Sequence, residues 1–141
     1  MTTVTYFVAA VLLFCYYTNT NALLENYPPP EVLEYLKPYH TICTEKIGVS
    51  DDEVKNYKIE DNSEKMMCYM RCLGLESKWL TPDNKLQIDY IMETRLDSIA
   101  DLVKNIVDNC KDVPDGTHEC EKAYNLHKCA AKIEPERWFL P

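Results

Sequence analysis

The cysteines constrain this chain more than any other feature. There are seven among 141 residues, and Cys15 stands apart from the rest. It lies in residues 1–22, a stretch without Lys, Arg, Asp or Glu, whose apolar block at 6–17 gives way to Thr20, Asn21 and Ala22. Such a block is too short for a bilayer, which takes roughly 20 apolar residues. An apolar run before a small-residue cleavage site reads as a secretory signal. Residues 1–22 lack a basic residue near Met1, yet they are expected to be removed, leaving 23–141 as one secreted domain. Cys15 goes with them. Cys43, Cys68, Cys72, Cys110, Cys120 and Cys129 remain, an even set in a small exported chain, which predicts three disulfides. Each such bridge typically contributes about 2–4 kcal/mol, which lets a small domain tolerate an internal cavity. Six cysteines can pair in many ways, and spacing alone selects none.

All charged residues lie beyond residue 22, so the net charge of −8 belongs to the mature domain. Phosphate contacts need Lys and Arg, so nucleic acid is excluded as a partner. The acid surface favours solubility, and no later segment is apolar enough to span a membrane.

Apolar residues recur at helical spacing throughout, and no stretch alternates as a half-buried strand would. Pro28, Pro29 and Pro30 precede a helix carrying Val32, Leu33, Leu36, Ile42 and Ile47, in which Pro38 predicts a kink or a division into two. Ser50 with Glu53, and Asp61 with Glu64, read as capping boxes. The second opens a helix through Met66–Leu73 that should weaken near Gly74. Pro82, Asp83 and Asn84 mark a turn. The run from Ile88 to Val107 has no Pro or Gly and forms one helix or two. Thr117 is expected to cap a last helix reaching about Ile133. Trp138, Phe139, Leu140 and Pro141 would make a poor solvated tail, so they are expected to fold back on the body. The result is an all-α fold of about six helices.

Cys68 and Cys72 share a helix face and should each bridge outward. A zinc site joining them with His118 and His127 is the competing reading. It is disfavoured because no tight CxxC pair exists and an exported chain favours oxidised cysteines. No cofactor is called for.

The full ladder is specific. It reads Cys43, 24 residues, Cys68, 3, Cys72, 37, Cys110, 9, Cys120, 8, Cys129. With the apolar leader and the acidic helices, it resembles the six-cysteine insect odorant-binding proteins, which include the pheromone-binding proteins. Residues 27–37 (YPPPEVLEYLK), 65–73 (KMMCYMRCL), 120–129 (CEKAYNLHKC) and the ending PERWFLP are similar to antennal members of mosquitoes and flies. The resemblance implies six helices around an apolar cavity, with bridges Cys43–Cys72, Cys68–Cys120 and Cys110–Cys129. It implies a secreted carrier of small hydrophobic odorants or pheromones in sensillar lymph. The ligand-binding positions it implies are Ile88, Ile91, Val103, Ile106, Val107, His127, Trp138 and Phe139. It also implies a C-terminal lid whose last carboxylate, at Pro141, is held by His40 and Tyr69 and released by acid. An odorant receptor and a second copy of the chain are candidate partners. Two positions depart from the subgroup. Ala130 and Gly74 stand where large aromatics are common, so the pocket is either wider or refilled by Trp79 and Trp138. Arg95 and Lys104 fall where apolar residues are usual.

A mostly apolar pocket with a few polar groups suits a volatile alcohol, aldehyde, ester or ketone. Tyr69, Tyr90, Tyr124 and His127 are the candidate orienting groups. Catalysis is the first rival function. The chain has no GxSxG elbow and no glycine-rich calcium loop, so it is read as no enzyme. Membrane-active saposin-like proteins are also small and three-bridged, but their cysteines cluster in close pairs. A secreted helical interaction protein, or a general lipophile carrier outside smell, is the alternative.

Overall fold

The computed structural model describes residues 27–141. The expected signal at 1–22 lies outside them. Helix α1 (Pro30–Ile47) starts on a proline, whose missing N–H is no loss in a first turn. Glu31 near its start and Lys46 near its end complement the helix dipole. Pro38 does not divide it: the helix runs through as one element. Pro38 and Glu34 both face solvent, so water can take the carbonyl that loses its partner. Gly48, at φ 74°, ends the helix in the left-handed conformation and donates its N–H to the Thr44 carbonyl.

The short α2 (Asp51–Asn56) opens with the expected capping box. The Glu53 N–H donates to Ser50 Oγ at 3.2 Å, and the Ser50 N–H donates to Glu53 Oε2 at 2.8 Å. Helix α3 (Glu64–Glu76) is capped by Ser63, not Asp61. The Ser63 hydroxyl accepts from the Met66 N–H. It also passes through Gly74 without weakening. There, a Cβ would lie 2.7 Å from Leu80 Cδ1, so the bare glycine lets the following chain fold back tightly. The Trp79 and Leu80 N–H groups both donate to the Gly74 carbonyl at 2.8 Å. The turn at 81–85 joins Leu80 to Leu86 in a single antiparallel bridge, and the described residues hold no strand.

The run from Ile88 forms two helices, α4 (Ile88–Thr94) and α5 (Ala100–Cys110), separated by one 3-10 turn at Asp97–Ile99. Arg95 and Leu96 between them are extended, at ψ 145° and 141°. Helix α6 (Glu121–Ile133) is not capped by Thr117. The roles are reversed: the Glu121 carboxylate accepts from the N–H groups of Thr117 and His118, at 2.6 and 3.3 Å.

Helix α3 packs on both α1 and α6, α6 packs also on α5, and α5 on α4. The bridges fix these pairings. Cys43–Cys72 ties α1 to α3, Cys68–Cys120 ties α3 to the start of α6, and Cys110–Cys129 ties α5 to α6. The core is divided into separate clusters. One gathers Val49, Val54, Met66, Tyr69 and Leu73, a second Met70, Leu80, Ala123 and Tyr124, and a third Ile91, Val103 and Val107.

Candidate functional site

A cavity of about 210 Å³ opens among these clusters. Helix α1 contributes Val32, Tyr35, Leu36 and Tyr39 at i, i+3, i+4 and i+7, one continuous helical stripe. Helix α3 adds Met70, Leu73 and Gly74, and the turn after it adds Ser77, Trp79, Leu80 and Leu86. From α4 through α5 come Ile91, Arg95, Leu96, Ile99, Leu102, Val103, Ile106 and Val107. Helix α6 supplies Ala123, Leu126, His127 and Ala130, and the C-terminal segment supplies Arg137, Trp138, Phe139 and Pro141.

Seven of the eight expected binding positions thus line the cavity: Ile91, Val103, Ile106, Val107, His127, Trp138 and Phe139. Ile88 does not. It is half-buried against the Ile91 and Val103 cluster, one layer behind the cavity. Among the orienting groups considered, His127 alone touches the cavity. Tyr90 is not part of the wall, and the Tyr124 hydroxyl is turned away to the Ile59 carbonyl at 3.0 Å and Asn62 Oδ1 at 2.8 Å. Tyr35 and Tyr39 line it instead, as the α1 stripe could have suggested. Trp79 and Trp138 line the same cavity as Gly74 and Ala130, the two small positions. Lys104 points outward and pairs with Asp108. Arg95 points its chain to the cavity.

The C-terminal segment is held at several points. Leu140 packs against the first two core clusters. Phe139 meets Tyr27 edge-on, with ring centroids 5.9 Å apart. Arg137 donates from Nε and Nη2 to Glu134, each at 3.0 Å, and from Nη1 to Asp101 at 2.8 Å. Its guanidinium holds both carboxyls below their ordinary range. The Trp138 indole N–H donates to His127 Nδ1 at 3.3 Å. That bond requires a neutral imidazole, and burial indeed depresses the His127 pKa to about 4.

The Tyr69 hydroxyl, in a fully buried side chain, donates to the Pro141 oxygen. His40 does not reach Pro141 itself. Its Nδ1 lies 2.7 Å from the Tyr69 hydroxyl, and its Nε2 3.1 Å from the exposed Asp51 carboxylate. With Tyr69 donating to Pro141, His40 Nδ1–H must donate to the Tyr69 oxygen. The bond to Asp51 needs a second proton on the ring. Protonating His40 therefore completes this chain of hydrogen bonds and does not break it.

Cys68, Cys120 and His118 come within ligand distance of one another. Both sulfurs are spent in the Cys68–Cys120 disulfide, which offers no thiolate to a metal. Among the described residues, no helix is long and apolar enough to cross a membrane.

The model of the PBP/GOBP family matches residues 26–133. Among solved structures, odorant binding protein 4 of the predator Chrysopa pallens is 28% identical, with a TM-score of 0.67 over 80% of this chain and 98% of that one. Odorant binding protein 7 from Anopheles gambiae, in complex with an azo compound, is 19% identical, with a TM-score of 0.63 over 77% and 90%. The fatty acid binding protein OBP56a from the oral disk of the blowfly Phormia regina is 20% identical, with a TM-score of 0.54 over 76% and 95%.

Proposed function

The chain belongs to the PBP/GOBP family, and on that footing we propose that it is a secreted carrier that holds small hydrophobic molecules in its cavity and releases them in acid. The observation that carries this reading is the cavity of about 210 Å³, lined by apolar side chains of every helix but α2 and closed by the C-terminal segment. An apolar ligand entering it leaves water, which is worth about 25 cal/mol per Å² of surface buried. The azo compound and the fatty acid named for two structural relatives fit the same ligand description. Transport through an aqueous lymph to a receptor is the role such a carrier would serve.

Release would begin at His127. When its ring gains a proton, Nδ1 becomes a donor and can no longer accept from Trp138. That breaks one of the two side-chain hydrogen bonds by which the last four residues are held. The other runs from the Tyr69 hydroxyl to Pro141 and does not involve His127. The charged groups beside the segment are Arg137, Glu134 and Asp101, already paired with one another. His127 thus controls the cavity side of the segment.

The test is a titration of the oxidised protein with the fluorescent apolar reporter N-phenylnaphthylamine at about pH 7 and about pH 4, where the folded His127 is about half charged, beside a chain lacking residues 138–141. Saturable binding that weakens in acid, with the pH effect lost in the shortened chain, is expected. Binding indifferent to pH keeps the carrier and discards the gate. No binding by a correctly bridged protein removes the carrier and leaves a protein–protein role.

A further inference from the structure

Apart from the Tyr35 and Tyr39 hydroxyls, which interact with each other, the polar atoms on the cavity wall are nearly all in use. Arg137 spends its donors on Glu134 and Asp101, the Trp138 indole donates to His127, and the Ser77 hydroxyl donates to the Gly74 carbonyl. Two are not. Trp79 Nε1 and Arg95 Nε are closed off from solvent and make no well-formed hydrogen bond among the described residues, although the Tyr35 hydroxyl lies near Trp79. Both residues line the cavity. They come to it from different elements, Trp79 from the turn after α3 and Arg95 from the extended link after α4.

The charge is as unmatched as the hydrogen bonds. The described residues include three arginines, and the arginine ion pairs all belong to Arg71 and Arg137. Among the described residues Arg95 has no carboxylate partner. A tryptophan and an arginine have donors and no acceptors. Leaving such donors enclosed and unpaired is costly, and in half-buried Arg95 it is the Nε that is enclosed. What would satisfy both is an acceptor bearing negative charge.

Resting on the carrier reading, we propose that the cavity is fitted to an amphiphilic monocarboxylate, its head held by Arg95 and Trp79 and its chain lying on the apolar wall. A neutral alcohol, aldehyde or ester can accept a hydrogen bond from Trp79 but leaves the Arg95 charge unanswered. A carboxylate does both, because its bonds to guanidinium are charge-assisted. The volume of about 210 Å³ has room for on the order of ten heavy atoms at interior packing density. That matches an acid of about eight carbons, in which the chain fills the apolar part.

The experiment is displacement of N-phenylnaphthylamine from the oxidised protein at about pH 7, where a fatty carboxyl is ionised, by octanoic acid, methyl octanoate and octanol. The acid is expected to bind at least tenfold more tightly than the ester or the alcohol. Arg95→Met should abolish that preference while sparing the ester, Arg95→Lys should keep part of it, and Trp79→Phe should lower acid affinity severalfold. The proposal is overturned if the ester or alcohol binds the wild-type protein as well as the acid. It is overturned equally if folded Arg95→Met keeps the preference, or if the reporter binds and none of the three displaces it. Should Arg95→Met fail to fold, the wild-type ranking and Trp79→Phe decide. A reporter that does not bind at all points instead to failure of the carrier reading.

Discussion

Acid should destabilise this protein through one half-buried ring. His127 has a pKa of about 4 in the folded chain against an ordinary 6.5. Below pH 6.5 the unfolded chain takes up a proton at this position that the folded chain refuses, so stability falls as pH falls. The effect starts near the unfolded value and is complete near the folded one. Over the whole interval it amounts to about 3 kcal/mol, at 1.36 kcal/mol per pKa unit. At pH 5 the unfolded imidazole is almost fully charged and the folded one about a tenth, which corresponds to a loss of about 2 kcal/mol relative to pH 7.

Other groups do not blur this window. The carboxyls of Glu53 and Asp83 are depressed to about 2 by Lys65 and Lys85, so what they contribute is held above their unfolded values near 4 and lost only below. The comparison is with His127→Asn, whose side-chain oxygen can still accept from Trp138 but takes up no proton. Urea denaturation followed by circular dichroism, at pH 7, 6 and 5, gives the two slopes. The wild type should lose about 2 kcal/mol more than His127→Asn between pH 7 and 5. Equal losses in the two proteins would refute the assignment of the acid sensitivity to this ring.

Tyr69→Phe strips the Pro141 oxygen and His40 of a shared partner; it should cost about 1–3 kcal/mol in thermal denaturation and speed ligand dissociation in stopped-flow. Ala130→Leu adds three carbons to the wall from a buried position; the apo protein should gain about 0.5–2 kcal/mol, as cavity filling commonly gives, while reporter affinity falls in titration. Removing the Cys68–Cys120 bridge, which spans 52 residues, should destabilise more than removing Cys110–Cys129, which spans 19. Loop entropy puts the two costs at about 4 and about 3 kcal/mol, measurable as shifts in denaturation midpoint for paired Cys→Ala variants.

Much of this was legible in the residues because it is local. Helical periodicity gave the elements, and the Ser50–Glu53 box gave the start of α2, since a cap needs only neighbours three residues apart. Where two local solutions were nearly equal, local reasoning chose less well. Ser63 took the cap assigned to Asp61, and Glu121 reached back over Thr117 in place of the expected Thr117 cap. The break after α4 has no Pro or Gly to announce it. It appears where Arg95 and Leu96 reach the cavity wall from an extended link.

By itself the sequence determined an acidic helical domain, six cysteines in the spacing of a known family, and a tail too apolar for solvent. These rest on composition and short-range pattern. Only the tertiary structure decided that Ile88 sits behind the cavity, that His40 acts on Pro141 through Tyr69, and that His127 accepts from Trp138. The same holds for the unpaired donors of Arg95 and Trp79. Whether a polar group finds a partner depends on side chains brought together from distant parts of the chain, and no periodicity along it records that.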